Sequence, residues 1–406
     1  MQLRTSRSIR APLRIAACAL LGVSTSVAAV GDPWEFDAAV LYYSEVDRVT
    51  AAEPLINVRK NFGDDRILNL RFVVDALSGA TPNGATAAGG PQTFTTPSGN
   101  GTYTAPAFET PLDPTFHDTR AALTAQWEQP FGRLTKGSFS ANASTEYDFK
   151  SLGASAAIAR DFNNRNTTFS AGLAAEFDVI EPVGGVPIPF ASMAPPGAVQ
   201  PRQGVDDDKT VVDILLGVTQ IISRRALMQL NYSYSDSSGY LMDPYKVISV
   251  IDPILNNPVD YVYENRPDSR SKQSLFWKFK YHLVADVVDL SYRFLWDDWG
   301  INSHTLDLHY RWQPRRRWYL EPHVRFYTQS AADFYVPNVF SLSPLPAFAS
   351  ADYRLADFDA WTVGLNYGQT LSSKRQYNLR LEYYRQRGDS FFPDLDAIIA
   401  QFSYKF

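Results

Sequence analysis

The sequence predicts an all-β fold: a single closed antiparallel transmembrane β-barrel of about sixteen strands, with short periplasmic turns and long extracellular loops. Three observations carry this expectation. Apolar and polar residues alternate with a period of two over segments of about 10–14 residues, longer than most soluble strands. The connections alternate between short polar turns and other segments, several of them long and rich in Pro, Gly, Ser or Thr. Seven of the eight tryptophans fall on the apolar parity, most of them near segment ends.

The chain opens with an export signal. Arg4, Arg7, Arg10 and Arg14 precede an apolar stretch from Ile15 to Val23, and the small residues Ser24 to Ala29 follow. This reads as a signal peptide over residues 1–28, cleaved after Ala28 or Ala29. It leaves 29–406 as the barrel and implies Sec export to the outer membrane of a Gram-negative cell. Ile15-Ala16-Ala17-Cys18 also matches a lipoprotein box, but Arg14 leaves almost no apolar run before Cys18. Cys18 is the one cysteine, so the mature barrel has no thiol for disulfides, c-type haem or cysteine-based zinc sites. The whole chain carries −5, and the leader takes four arginines and no acid with it. An acidic exported chain lacks the basic surface that a nucleic acid needs. No run beyond the leader approaches the roughly 18 apolar residues of a membrane helix.

The strands follow in order, the last the clearest. Ile398, Ala400, Phe402, Tyr404 and Phe406 alternate with Ile399, Gln401, Ser403 and Lys405, and a strand puts the two sets on opposite faces. Val288, Leu290, Tyr292, Phe294 and Trp296 alternate in the same way, as do Leu306, Leu308, Tyr310 and Trp312, and Tyr377, Leu379, Leu381 and Tyr383. Short turns are expected at 63–65, 132–136, 163–166, 223–225, 283–286, 314–317 and 371–374. Between them lie the long loops 79–117, 181–208, 239–271 and 331–359, and the connections 46–54, 151–154, 297–301 and 388–393. Seven turns and eight loops join about sixteen strands, with both termini periplasmic. The weakest strand segments are 55–62 and 155–162. Trp34, Trp127, Trp312 and Trp318 lie beside short turns, and Trp296 and Trp361 at the loop ends. Indole prefers the membrane–water boundary, so two belts at opposite strand ends suit a barrel in lipid. A soluble β-sandwich or propeller would alternate too, but with strands of about 5–6 residues.

Several stretches together resemble the bacterial family known as domain of unknown function 3570. They are Asp75-Ala76-Leu77-Ser78-Gly79-Ala80-Thr81-Pro82, Gln92-Thr93-Phe94-Thr95, Pro111-Leu112-Asp113-Pro114-Thr115-Phe116 with Asp118-Thr119-Arg120, and Ser144-Thr145-Glu146-Tyr147-Asp148-Phe149. Asp243-Pro244-Tyr245-Lys246, Arg266-Pro267-Asp268-Ser269-Arg270 and Asp352-Tyr353-Arg354-Leu355 complete the set. The resemblance implies an outer-membrane barrel with no established activity and hints at a periplasmic redox context. It carries over no catalytic residue.

Function is expected on the inward parity, because a charge facing lipid at mid-depth costs about 2–4 kcal/mol. That face includes Arg71, Asp75, Arg120, Arg293, Arg380 and Glu382 beside Glu45, Arg59, Glu128, Glu146, Asp148, Glu176, Asp178 and Asp213. Such a lumen can select ions, and the same charges can pair across strands to stiffen the wall. The sharpest cluster lies on the hairpin around 314–317. With Trp312 opposite Trp318, Asp307, His309 and Arg311 face Glu321, His323 and Arg325, which sets His309 beside Glu321 and Asp307 beside His323. This row could bind a divalent metal or shuttle protons, or be a plain charge ladder. The loop residues Tyr245, Arg266, Arg270, Tyr353 and Arg354 could recognise an anion or an aromatic ligand, or pair with loop acids to fold the loops over the mouth. The acidic runs 64–65, 206–208 and 297–298 match no calcium-loop spacing. No Gly-x-Ser-x-Gly, His-Glu-x-x-His or phosphate-cradling glycine loop occurs.

The leading expectation is a channel or passage protein with a charged lumen, no cofactor and no enzymatic activity. A barrel that holds a periplasmic, redox-type partner is the alternative, and a surface enzyme the third. The expected partners are outer-membrane lipid and the barrel-assembly machinery, which would read the C-terminal strand ending at Phe406.

Overall fold

The computed structural model describes residues 34–96, 101–195, 197–372, 375–388 and 394–406. The expected signal peptide and its Cys18 lie outside them, as does the 389–393 part of the last expected loop. Among the described residues no helix is long and apolar enough to cross a membrane. Strands do the crossing.

Sixteen strands form one closed antiparallel barrel. The first half comprises β1 (Glu35–Glu45), β2 (Val49–Asn61), β3 (Ile67–Pro82), β6 (Leu112–Pro130), β7 (Thr135–Thr145), β8 (Phe149–Phe162), β9 (Thr167–Ile180) and β12 (Asp207–Ser223). The second comprises β13 (Ala226–Gly239), β16 (Ser269–His282), β17 (Val287–Asp297), β18 (Asn302–Arg315), β19 (Trp318–Gln329), β21 (Phe358–Thr370), β22 (Gln376–Gly388) and β23 (Leu395–Lys405). The wall closes where β1 meets β23, with Val40 opposite Phe402 and Tyr42 opposite Ala400. Closure leaves no unpaired edge, which the hydrocarbon region would not tolerate.

Burial runs opposite to that of a soluble protein. Leu308, Leu381 and Phe402 stand 40%, 58% and 49% exposed, whereas Asp178 and Asp213 stand at 0% and 3%. Large apolar side chains ring the outside of the wall and charges line the inside, the arrangement a barrel needs in lipid. Aromatic rings gather at both ends of the band. Near the turn rim Phe36 stacks on Phe406, Phe62 tilts against Trp127 and Trp312 meets Trp318 edge to face, with centroids 5.6, 5.5 and 5.8 Å apart. Near the loop rim Phe294 meets Trp296 at 5.1 Å and Phe326 meets Trp361 at 4.6 Å. Trp299, the tryptophan off the apolar parity, is buried among loop residues with Phe334 and Leu355.

Six of the short turns fall where expected, and the seventh joins β21 to β22 with residues 373–374 outside the described ones. Two of the six use residues that accept left-handed backbone: Gly63, Asp64 and Asp65 at φ +86°, +52° and +58°, and Asn163 and Asn164 at +49° and +54°. Two connections differ. The expected loop 46–54 is only 46–48, and β2 starts at Val49 and carries Pro54 opposite Val40. Proline has no N–H to give, and the pairing of β2 with β3 passes from Ala52 to Leu55 without a partner for Glu53 or Pro54. The expected loop 151–154 is strand, the true connection being 146–148. Gly153 pairs with Asn142, whose side chain fills the space a Cβ would take, 2.6 Å from Oδ1.

The long loops are shorter than expected because the strands run on, leaving 83–111, 181–206, 240–268 and 330–357. They carry secondary structure of their own. β4 (Gln92–Thr95) pairs with β5 (Thr102–Ala105), and β10 (Val186–Pro187) with β11 (Arg202–Gly204). β14 (Val247–Asp252) lies between β15 (Asn257–Tyr263) and β20 (Asn338–Phe340). The loops share apolar cores: Ala85, Phe94 and Tyr103 with Val247 and Tyr263, and Ile248 and Val262 with Val339 and Ala351. They form one layer across the loop rim.

Candidate functional site

The wall and the loop layer enclose a cavity of about 1680 Å³. Its wall residues lie in the loop-side halves of the strands: Ser303 to His309 on β18, His323 to Gln329 on β19, Arg380 to Gln386 on β22. Its roof comes from the loops, with Phe94, Tyr103, Met193, Tyr245, Lys246, Tyr353 and Arg354.

The wall has two characters. Along β7, β8 and the middle of β9 small inward residues recur, with Ser140 bonding Ser155 at 2.7 Å and Gly153 and Ala174 on the same face, before Glu176 and Asp178 toward the loop end of β9. Small side chains keep this arc thin. On β16 to β22 the inward face is charged and bulky. Lys278 pairs with Asp289 at 3.0 Å and Arg311 with Glu321 at 2.7 Å, while the Arg293 guanidinium lies over Phe276. On the far side Arg120 holds Asp75 at 2.6 Å and Lys209 holds Asp178 at 2.7 Å. Charges of both signs thus line water and brace one another across strands. Lys209, Lys272 and Glu53 were missed from the sequence, although the alternation Lys209, Val211, Asp213 along β12 could have shown the first.

The His–acid cluster is real, in a different register. Trp312 pairs with Leu320, not Trp318, and a bulge follows before the turn. The hairpin closes on a tighter turn, with Arg315 opposite Trp318, and together with the one-residue bulge this sets the register two residues from the expected one, which keeps every side chain on its face. His309 is therefore directly opposite His323, and Asp307 opposite Arg325. The expected neighbours still touch, on the diagonal: His309 Nδ1 lies 3.5 Å from Glu321 Oε1, and His323 Nε2 lies 3.4 Å from Asp307 Oδ2. Two contacts were not foreseen. His309 Nε2 reaches Asp307 Oδ1 at 3.0 Å, and His323 Nδ1 reaches Glu382 Oε1 on β22 at 2.9 Å. The imidazoles stack 4.0 Å apart, 6° from parallel. Arg380 approaches Glu382 at 3.8 Å, and Arg325 and Arg380 join the cavity wall. Arg71 lies elsewhere, near Glu53 and Asp75.

The loop candidates are brought together, and their guanidinium groups are engaged by acids. Arg266 binds Glu264 at 2.7 Å and Asp352 at 2.9 Å. Arg354 binds Asp352 and, at 2.7 Å, Asp243. Arg270 pairs with Asp297 and lies 4.3 Å over Trp299. Only Asp297 belongs to the acidic runs noted in the sequence. Tyr245 donates to Asp148 Oδ2 at 2.6 Å and accepts from the Val183 backbone at 3.3 Å, joining three connections. The Lys246 ammonium sits 5.9 Å over the Tyr353 ring and bonds the Pro82 carbonyl.

Burial opposes charge on Asp352 and Asp243, but Arg354, Lys246 and Arg266 hold both carboxyls below the ordinary range. Burial outweighs the pull of Arg266 at Glu264 and leaves that carboxyl raised. Asp118, Glu146 and Asp148 form a further buried carboxylate group by the mouth, with ligand atoms within 4.8 Å of one another. Asp118 was not singled out from the sequence.

The family model described as "Protein of unknown function (DUF3570)" matches residues 10–406. No curated protein matches the chain. Among solved structures it is similar to a bacterial polysaccharide outer membrane secretin, at 9% identity and a TM-score of 0.47, covering 93% of this chain and 99% of that one. It is similar to CdiB from Acinetobacter baumannii at 9% identity and 0.49, covering 92% and 60%. The CymD monoaromatic hydrocarbon channel gives 8% identity and 0.40, covering 93% and 88%.

Proposed function

This chain belongs to the DUF3570 family of proteins of unknown function, and from that premise we propose that it is an outer-membrane passage protein. Small hydrophilic solutes cross through its charged lumen, and the loop layer forms the outer gate. The observation that carries this reading is the 1680 Å³ cavity, walled by charges of both signs on the strands and roofed by loops. A sixteen-strand wall is wide enough for an aqueous channel. Pairing among the lumen charges leaves their fields facing the water, where they polarise a passing solute and sort ions by sign. The short turns and the N-terminal end of β1 share the periplasmic rim, and the loop layer faces outward.

Planar-bilayer recording of the purified protein tests this. The expected result is discrete conductance steps that grow when loops 83–111 and 240–268 are shortened together. A barrel that stays silent with those loops removed contradicts a passage role. Recovery of that silent barrel with a stoichiometric periplasmic protein would turn the reading to a sheath.

A further inference from the structure

The geometry points to a divalent transition-metal site on the lumen wall, with His309 Nε2, His323 Nε2 and the Asp307 carboxylate as ligands. The barrel register makes the two histidines direct cross-strand partners on one face, so neither has to leave its strand to meet the other. Both Nε2 atoms turn to the same carboxylate, at 3.0 Å from Oδ1 and 3.4 Å from Oδ2. Tetrahedral zinc, with bonds of about 2.0–2.1 Å, sets its ligand atoms roughly 3.3 Å apart. The two nitrogen-to-carboxylate distances match that spacing, and one ligand atom from each of the three residues lies within 4.8 Å of the others.

The other ring nitrogens are also provided for. Glu382 lies 2.9 Å from His323 Nδ1 and Glu321 lies 3.5 Å from His309 Nδ1. A carboxylate that accepts the Nδ1–H fixes the tautomer, aims Nε2 at the metal and raises its basicity. Arg311, 2.7 Å from Glu321, fixes one of these acceptors in turn. Two imidazoles with one carboxylate favour Zn²⁺, Cu²⁺ or Ni²⁺ over Mg²⁺ or Ca²⁺, which prefer all-oxygen cages. All three ligands line the cavity, and the His309 side chain is 36% exposed. A metal can reach the site through water and keep a coordination position open toward the lumen. The opposing arrangement is a stacked imidazolium pair bridged by Asp307, and it takes up no metal.

Folded protein in detergent, stripped with chelator and dialysed against Zn²⁺, should bind one equivalent by elemental analysis. His323→Ala and His309→Ala should each lose that equivalent. Glu382→Gln should weaken binding about 10–100-fold, the usual effect of removing an outer partner. His282→Ala, at the far end of β16, should bind as the native chain does. Heat-modifiable migration in gels reports that each variant is folded. Cu²⁺ loaded into the unaltered protein gives a readout independent of folding defects: its spin resonance should show coupling to two imidazole nitrogens. Zinc retained by the His309→Ala/His323→Ala double variant, or a copper spectrum with oxygen ligands alone, would overturn the site. The reading rests on binding and not on current, so it stands or falls separately from the passage role.

Discussion

Arg354 joins two loops through one guanidinium, reaching Asp352 beside it and Asp243 at the start of the loop 240–268. Removing one partner of a buried ion pair costs about 3–5 kcal/mol, because the other charges stay buried and uncompensated. Arg354→Ala should therefore free loops 240–268 and 330–357 to protease at neutral pH while the barrel keeps its heat-resistant migration. Acid should act on the same ties. Asp243 and Asp352 have lowered carboxyl pKa values in the folded layer. Their contribution is complete above the ordinary aspartate value of about 3.9 and is lost as pH falls toward the lowered ones. Glu264 is raised and has the opposite sign, so its protonation on mild acidification does not strip the layer. Pepsin should spare the loops near pH 4 and cut them near pH 2. Equal cutting at both would remove the ion pairs from the account. These arginines were legible as loop residues that pair with acids; which acids was not, because Asp352 meets Arg266 and Asp243 meets Arg354 only once distant loops are folded together.

At the scale of one strand, alternation decided which side chains meet lipid and which meet water. It was legible wherever large apolar residues marked one parity, as on β18 and β23. It failed at Pro54 and at 151–154 for local reasons. A proline and a run of small residues look like a loop, yet a barrel strand tolerates a missing ladder bond and welcomes a glycine where Asn142 needs room. The register of β18 against β19 was off by two because neither the tight turn that puts Arg315 opposite Trp318 nor the bulge beside it can be seen in composition. The parity survived, which is why the His–acid cluster did too. Leu308 faces outward near mid-strand at 40% exposure, so Leu308→Arg should cost about 2–4 kcal/mol of folding free energy in lipid. Thr305→Arg, on the cavity wall of the same strand, should cost much less. Urea titration in vesicles measures both, and equal costs would contradict the assigned faces.

At the scale of the molecule, strand number, closure and the asymmetry of the rims were legible from counting turns. The loop layer was not, since its cores, such as Phe94 with Val247 and Tyr263, join segments far apart in the chain. What remains decisive is whether the wall is two-sided. Single cysteines placed at Arg293, His309 and Arg380, and at their outward neighbours Tyr292, Leu308 and Leu381, can be challenged in intact outer-membrane vesicles with a charged, membrane-impermeant maleimide. A two-sided wall gives rapid modification of the first three and slow modification of the second three. Equal rates across both sets would contradict it.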